Sequence, residues 1–304
     1  MTPAVRLGQP RPLALLAAAL ILAASQGCVS PPIRDLPRAP DAEQVHVLDG
    51  EYLPFRVSPR NRYAIVMNGR RFSPPESRPF AISSAEDVLA GVALEDPWVR
   101  GDMDQLTTLL LSKGYDVYRL DFGQVTPRAM IGLLERLTYV SNDETRMFLA
   151  YSGEGDSTGI RTRSLLVGQN QHVIPPEVTV TPKRLFAALA PIRGRKALLI
   201  NACEAGIFAD EAPSWAEFSG VVIASCPKGY ATTPHEPTGT TAIFAAFLEL
   251  YADEPARELN LARAEIDRAG GLWTNLAHRW QNFWGGGLPL SYDPVVFISG
   301  DFWL

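Results

Sequence analysis

Cysteine is scarce in this 304-residue sequence, with three in all: Cys28, Cys203 and Cys226. Three thiols make no disulfide scaffold, and no Cys/His spacing suits zinc. Histidine is scarce too. The four, at 46, 172, 235 and 278, are the side chains that titrate near neutrality without help. Positive charge is in short supply, with 28 Lys and Arg against 33 Asp and Glu and a net charge of −5. That balance argues against nucleic acid as a partner. There are no internal repeats, and nothing implies a metal or an organic cofactor.

What is there begins with a targeting segment. Arg6 and Arg11 form a positive start, residues 13–24 an apolar stretch too short for a comfortable membrane span, and Ser25-Gln26-Gly27 leads into Cys28. Residues 1–27 resemble a bacterial lipoprotein signal, with Cys28 as the lipidated first residue of the mature chain. Val29, in place of Asp, points within that class to the outer membrane. Ordinary secretion with an incidental Cys28 is the alternative. Loss of the two Arg and no acid takes the net charge from −5 to about −7. Residues 28–58, rich in Pro, read as an extended tether, and 59–304 as one large domain.

Along that domain, residues 62–67 (RYAIVM) form a buried strand and 101–113 a helix ended by Gly114. Residues 115–120 alternate as a strand. Thr126 caps a helix with Pro127 at its first position, and 147–152 is the next strand. Residues 164–167 and 172–174 make a hairpin. Thr181 and Pro182 open another helix, 197–200 and 220–226 are buried strands, and 238–251 and 254–268 are helices. The alternation predicts a three-layer α/β sandwich, a mostly parallel central sheet with helices on both faces.

Two strands end in chemistry. Residues 147–152 run into Ser152-Gly153-Glu154-Gly155, and 197–200 into Asn201-Ala202-Cys203-Glu204-Ala205-Gly206. Side chains at the carboxyl ends of parallel strands are placed to meet a ligand. Strand-YSG-x-G followed by strand-x-A-C-E-x-G, with a closing DPVVFISGDFWL at residues 293–304, resembles the caspase/legumain-type cysteine peptidases, including their bacterial caspase-like branch. The resemblance covers about residues 62–304. In that family the first motif carries the catalytic His and the second the nucleophilic Cys. Here Glu154 stands at the His position, 49 residues before Cys203, against the family's spacing of about 50.

The resemblance implies a cysteine endopeptidase with Cys203 as nucleophile, acting on a peptide or protein substrate. Small Ala202, Ala205 and Gly206 leave room for a peptide backbone, and Gly155 and Gly206 are candidate oxyanion donors. Glu154 has two readings. As a neutral carboxyl it shares a proton with Cys203; as a carboxylate it repels a thiolate, and the dyad is degenerate. His235, in the loop after 220–226, is a substitute base. Cys226, at the end of the neighbouring strand, is either free or a disulfide partner for Cys203. Family pockets map onto Arg70 or Arg71, Asn201, Ser225 and Lys228, favouring an acidic or amide P1 residue over a basic one. The alternative from another class is a catalytically silent caspase-like pseudoenzyme that binds peptide or protein partners at this cleft, lipid-anchored at a bacterial envelope membrane and facing periplasm or surface. A serine hydrolase is the weakest reading: 155–159 matches G-x-S-x-G around Ser157, but no helix follows.

Overall fold

The computed structural model describes residues 45–47, 57–72, 93–94, 97–120, 125–167, 171–173, 179–232, 234–235, 240–241, 243–244, 247–248, 261 and 294–304. The signal segment, Cys28 and the helix expected at 254–268 fall almost wholly outside them.

Among the described residues the central sheet has seven strands. They are β1 (Val45–Val47), β2 (Arg62–Asn68), β5 (Asp116–Leu120), β6 (Arg146–Ser152), β12 (Arg195–Asn201), β13 (Gly220–Ala224) and β16 (Val295–Ile298), in the order β1-β5-β2-β6-β12-β13-β16. All neighbours are parallel except β16, which returns antiparallel to β13. The buried strands read as near-continuous apolar runs because both faces are covered. Alternate residues of each strand supply two cores. Tyr63, Ile65, Met67, Leu149, Tyr151, Leu198 and Ile200 pack on one face with helices α2 (Pro127–Val140), α3 (Pro182–Leu189) and α4 (Gly206–Glu211). Ala64, Val66, Phe148, Ala150, Ala197 and Leu199 pack on the other with α1 (Pro97–Ser112) and with Phe244, Phe247 and Leu248. The result is the three-layer α/β sandwich.

The remaining strands surround the sheet's carboxyl end. β3 (Arg70–Phe72), β4 (Ala93–Leu94), β9 (Arg163–Val167) and β10 (Gln171–Val173) form one small sheet. β7 (Glu154–Asp156), β8 (Gly159–Arg161) and β11 (Thr179–Val180) form another. β14 (Pro234–His235) and β15 (Thr240–Thr241) form a hairpin.

Local chemistry sets the helix starts. The Thr126 hydroxyl accepts from the Ala129 amide and the Thr181 hydroxyl from the Arg184 amide, each with Pro at the head of the helix. Three differences from the sequence reading stand out. Helix α1 begins at Pro97, four residues before Gly101, because a proline lacks only an amide that a first turn leaves unpaired anyway. Thr240 and Thr241 are strand rather than helix, the Thr241 hydroxyl and amide having partners far away in sequence. Val45–Val47, inside the stretch expected to be tether, pairs with β5 as the edge strand.

Candidate active site

The chain runs from β2 to β5 on one side and then returns to β6 on the other, so the order reverses between β2 and β6. Open parallel sheets bind ligands outside the carboxyl ends at such a switch point. Here β2, β6 and β12 end in register at Asn68, Ser152 and Asn201. The backbone bonding continues one step further, Gly69 N–H to the Ser152 carbonyl at 2.7 Å and Gly153 N–H to the Asn201 carbonyl at 3.0 Å.

Beyond Gly153 the chain folds into the β7–β8 hairpin, with Glu154 opposite Arg161. The turn is closed by Asp156, whose Oδ1 accepts from the amides of Thr158 at 2.7 Å and Gly159 at 3.1 Å. The stretch around Ser157 is therefore a hairpin turn and not a strand-to-helix elbow. Beneath it, the buried Tyr151 hydroxyl, with one proton to give, lies within hydrogen-bond distance of the carbonyls of Glu154 (2.9 Å) and Arg161 (2.7 Å). Burial pushes the Tyr151 phenol well above its ordinary pKa, with the Glu154 charge adding to the shift.

Cys203 lies in the turn after β12 and is half-buried. The hairpin reaches it: a Cβ on Gly155 would stand 2.6 Å from the Cys203 carbonyl oxygen and 2.8 Å from the Ala202 Cβ. Only a glycine admits that approach. The two motif positions, 154 and 203, are thus brought to one place. Glu204 next to it holds a left-handed backbone, φ 57°, uncommon for a side chain of that size. Its amide donates to the Tyr230 carbonyl at 2.8 Å, and its carboxylate accepts from the Gly229 amide at 3.1 Å.

Arg161 brings a cation to the site. It is buried, pairs with Asp156 through Nη2, and has an Nε without a hydrogen-bond partner. Burial pulls its pKa down, while the charges of Glu154, Tyr151, Cys203 and Glu204 oppose that pull.

Several expected roles change. The Gly206 amide donates to the Cys226 carbonyl at 2.8 Å, so it is committed to the fold rather than offered to an oxyanion. Ser225 is buried, and its hydroxyl bridges the Ala202 amide (3.2 Å) and carbonyl (3.1 Å); it staples the Cys203 turn instead of lining a pocket. Cys226 is buried, its Sγ lies 3.4 Å from the Ala202 carbonyl and 3.3 Å from the Tyr230 carbonyl, and it forms no disulfide with Cys203. Burial pushes its pKa up. Lys228 is exposed in the loop after β13. Arg70 and Arg71 lie in β3, next to Arg163 and Ser164 of β9.

Asn201 is buried as well. Its Nδ2 donates to Ser152 Oγ and Thr241 Oγ1, both at 2.9 Å, and its Oδ1 accepts from Thr232 at 3.1 Å. Asp102 of α1 accepts from Ser152 Oγ (2.6 Å), Thr241 Oγ1 (2.9 Å) and the Thr241 amide (2.7 Å). Thr241 belongs to the hairpin in which His235 pairs with Thr240, so the backbone of His235 is carried to the same end of the sheet. Beside this row, the Asn68 amide is buried with neither side-chain atom hydrogen-bonded. Asp102, Ser152, Thr241 and Arg161 escaped the sequence reading, since each acts through a partner remote in sequence or across a hairpin. Among the described residues, no group of three His, Cys, Asp or Glu is arranged to hold a metal.

No protein-family model matches the chain, and no curated protein does. Among solved structures it is similar to the crystal structure of protein GSU0716 from Geobacter sulfurreducens, a structural genomics target. That protein is 12% identical, with a TM-score of 0.48 over 78% of this chain and 94% of the other.

Proposed function

We propose that the chain is a caspase-like cysteine endopeptidase, with Cys203 as nucleophile, anchored by lipid at Cys28 in a bacterial envelope membrane. The observation that carries this reading is the packing of Gly155 on the Cys203 carbonyl. It brings the two strand-end motifs together at the switch point of a parallel sheet. In the reaction the Cys203 thiolate attacks the scissile carbonyl carbon, a C–S bond forms, and the C–N bond breaks as the leaving amine takes a proton. Water then hydrolyses the thioester. Glu154, on the hairpin that reaches the Cys203 turn, and His235, on a hairpin tied to Asn201, are the proton carriers within this reading.

One observation favours the silent, partner-binding alternative. Arg161, a buried cation on the hairpin that reaches Cys203, already pairs with Asp156 and stands opposite Glu154 across the hairpin, which leaves less positive charge to stabilise a thiolate. The deciding experiment is digestion of a diverse peptide library by the mature chain under reducing conditions, with Cys203→Ala as control. Cleavage lost in the control supports the peptidase. No cleavage by a folded chain, together with a gain of cleavage in Glu154→His, identifies a scaffold that has lost only its base.

A further inference from the structure

The polar ends of β6 and β12 are closed into a ring by a helix that lies about a hundred residues from Cys203 in sequence. Asn201 Nδ2 has two protons, and the two oxygens at 2.9 Å are Ser152 Oγ and Thr241 Oγ1. Each hydroxyl passes its own proton on to Asp102 Oδ2, at 2.6 and 2.9 Å, while the Thr241 amide fills Oδ1 at 2.7 Å. A carboxylate only accepts, so every proton in the ring has one direction and the Asn201 amide one orientation. The leftover Asn201 Oδ1 then takes the Thr232 hydroxyl. All four ring side chains are buried, Asp102 and Ser152 at 0% exposure, Asn201 at 1% and Thr241 at 6%.

We propose that Asp102 is the positioning residue of this site: through Thr241 and Asn201 it latches Thr232 and the paired β14 and β15, and with them the backbone of His235, against the strand that delivers Cys203. The proposal rests on the reading of Cys203 as the reactive group. Thr232 and Thr241 both bond to Asn201, two residues before Cys203, and β14 pairs with β15. Without the carboxylate, two buried hydroxyls and a backbone amide lose their acceptor together, which favours local opening over global unfolding.

The test is hydrogen–deuterium exchange of the mature chain, with Cys203 carbamidomethylation read on its own peptide by mass spectrometry. Thr241→Val and Asp102→Asn are expected to speed exchange in 232–241 by about tenfold or more and to change the Cys203 rate, with β6 and β12 still protected. Thr241→Ser, which keeps the hydroxyl, restores both. If Asp102→Asn fails to fold, Thr241→Val carries the test, since its amide still reaches Oδ1. Unchanged exchange in 232–241, a rise shared equally by the central strands, or an unaltered Cys203 rate would each overturn the latch. Selective loosening in a chain that cleaves no peptide removes the peptidase and leaves the latch. Cleavage with no selective loosening does the reverse.

Discussion

Lys196 stands at the amino-terminal part of β12, at the far end of the strand from Asn201 and Cys203. Its side chain is buried, and Nζ donates to the Gly194 carbonyl at 3.3 Å. Burial first, and the charge of Arg195 second, pull its pKa from 10.5 down to about 8. The folded value lies below the unfolded one, so between about pH 8 and pH 10.5 the unfolded chain holds a proton that the folded chain has released. Stability from this group therefore rises as pH climbs through that window, and below it the buried ammonium is a standing penalty. Lys196→Met is expected to stabilise the fold at neutral pH by on the order of 2 kcal/mol. Urea denaturation of both proteins at about pH 7 and pH 10 checks this. The gain should shrink at the higher pH; an equal gain at both would mean that packing, not charge, is the cause.

Elements whose signals are local were legible in the sequence, and those held by remote partners were not. Thr126-Pro127 and Thr181-Pro182 carry the hydroxyl and the fixed φ that start α2 and α3, and both helices begin there. The apolar run after Thr241 reads as one helix back to residue 238, but a strand is found at Thr240–Thr241, where Asp102, 139 residues away, captures both the amide and the hydroxyl. The strand ends at Glu154 and Cys203 were legible as the rim of a site because polarity returns abruptly after apolar runs. Arg161 was not, because only the β7–β8 register sets it opposite Glu154. That hairpin meets the Cys203 turn through Gly155, and the contact is testable. A methyl there would fall 2.6 Å from a backbone oxygen, which cannot swing aside as a side chain tip does. Gly155→Ala is expected to cost about 1–3 kcal/mol and to change the rate of Cys203 alkylation. Unchanged alkylation in a folded variant would mean that the hairpin and the Cys203 turn move independently.

At the scale of the molecule, the sheet ends differently on its two sides. On one side β16 returns antiparallel to β13, and the closing residues Phe302 and Leu304 are buried, Phe302 meeting Phe148 of the central β6 at 6.4 Å between ring centroids. On the other side β5 is covered by β1, with Val45 paired to Val117 and Val47 to Arg119. A boundary drawn at residue 59 from composition alone would cut this strand away and leave the outer edge of β5 unpaired, with Val117, Tyr118 and Leu120 of β5 in the core. An open, apolar edge of that kind invites pairing with a second chain. A chain beginning at residue 59 is therefore expected to unfold at lower denaturant than one beginning at residue 29, and to scatter more light on standing at equal concentration. Equal midpoints and equal scattering would assign residues 45–47 to the tether after all. A difference would make the sheet edge part of the folded unit, so that the folded domain starts by residue 45 and not at residue 59.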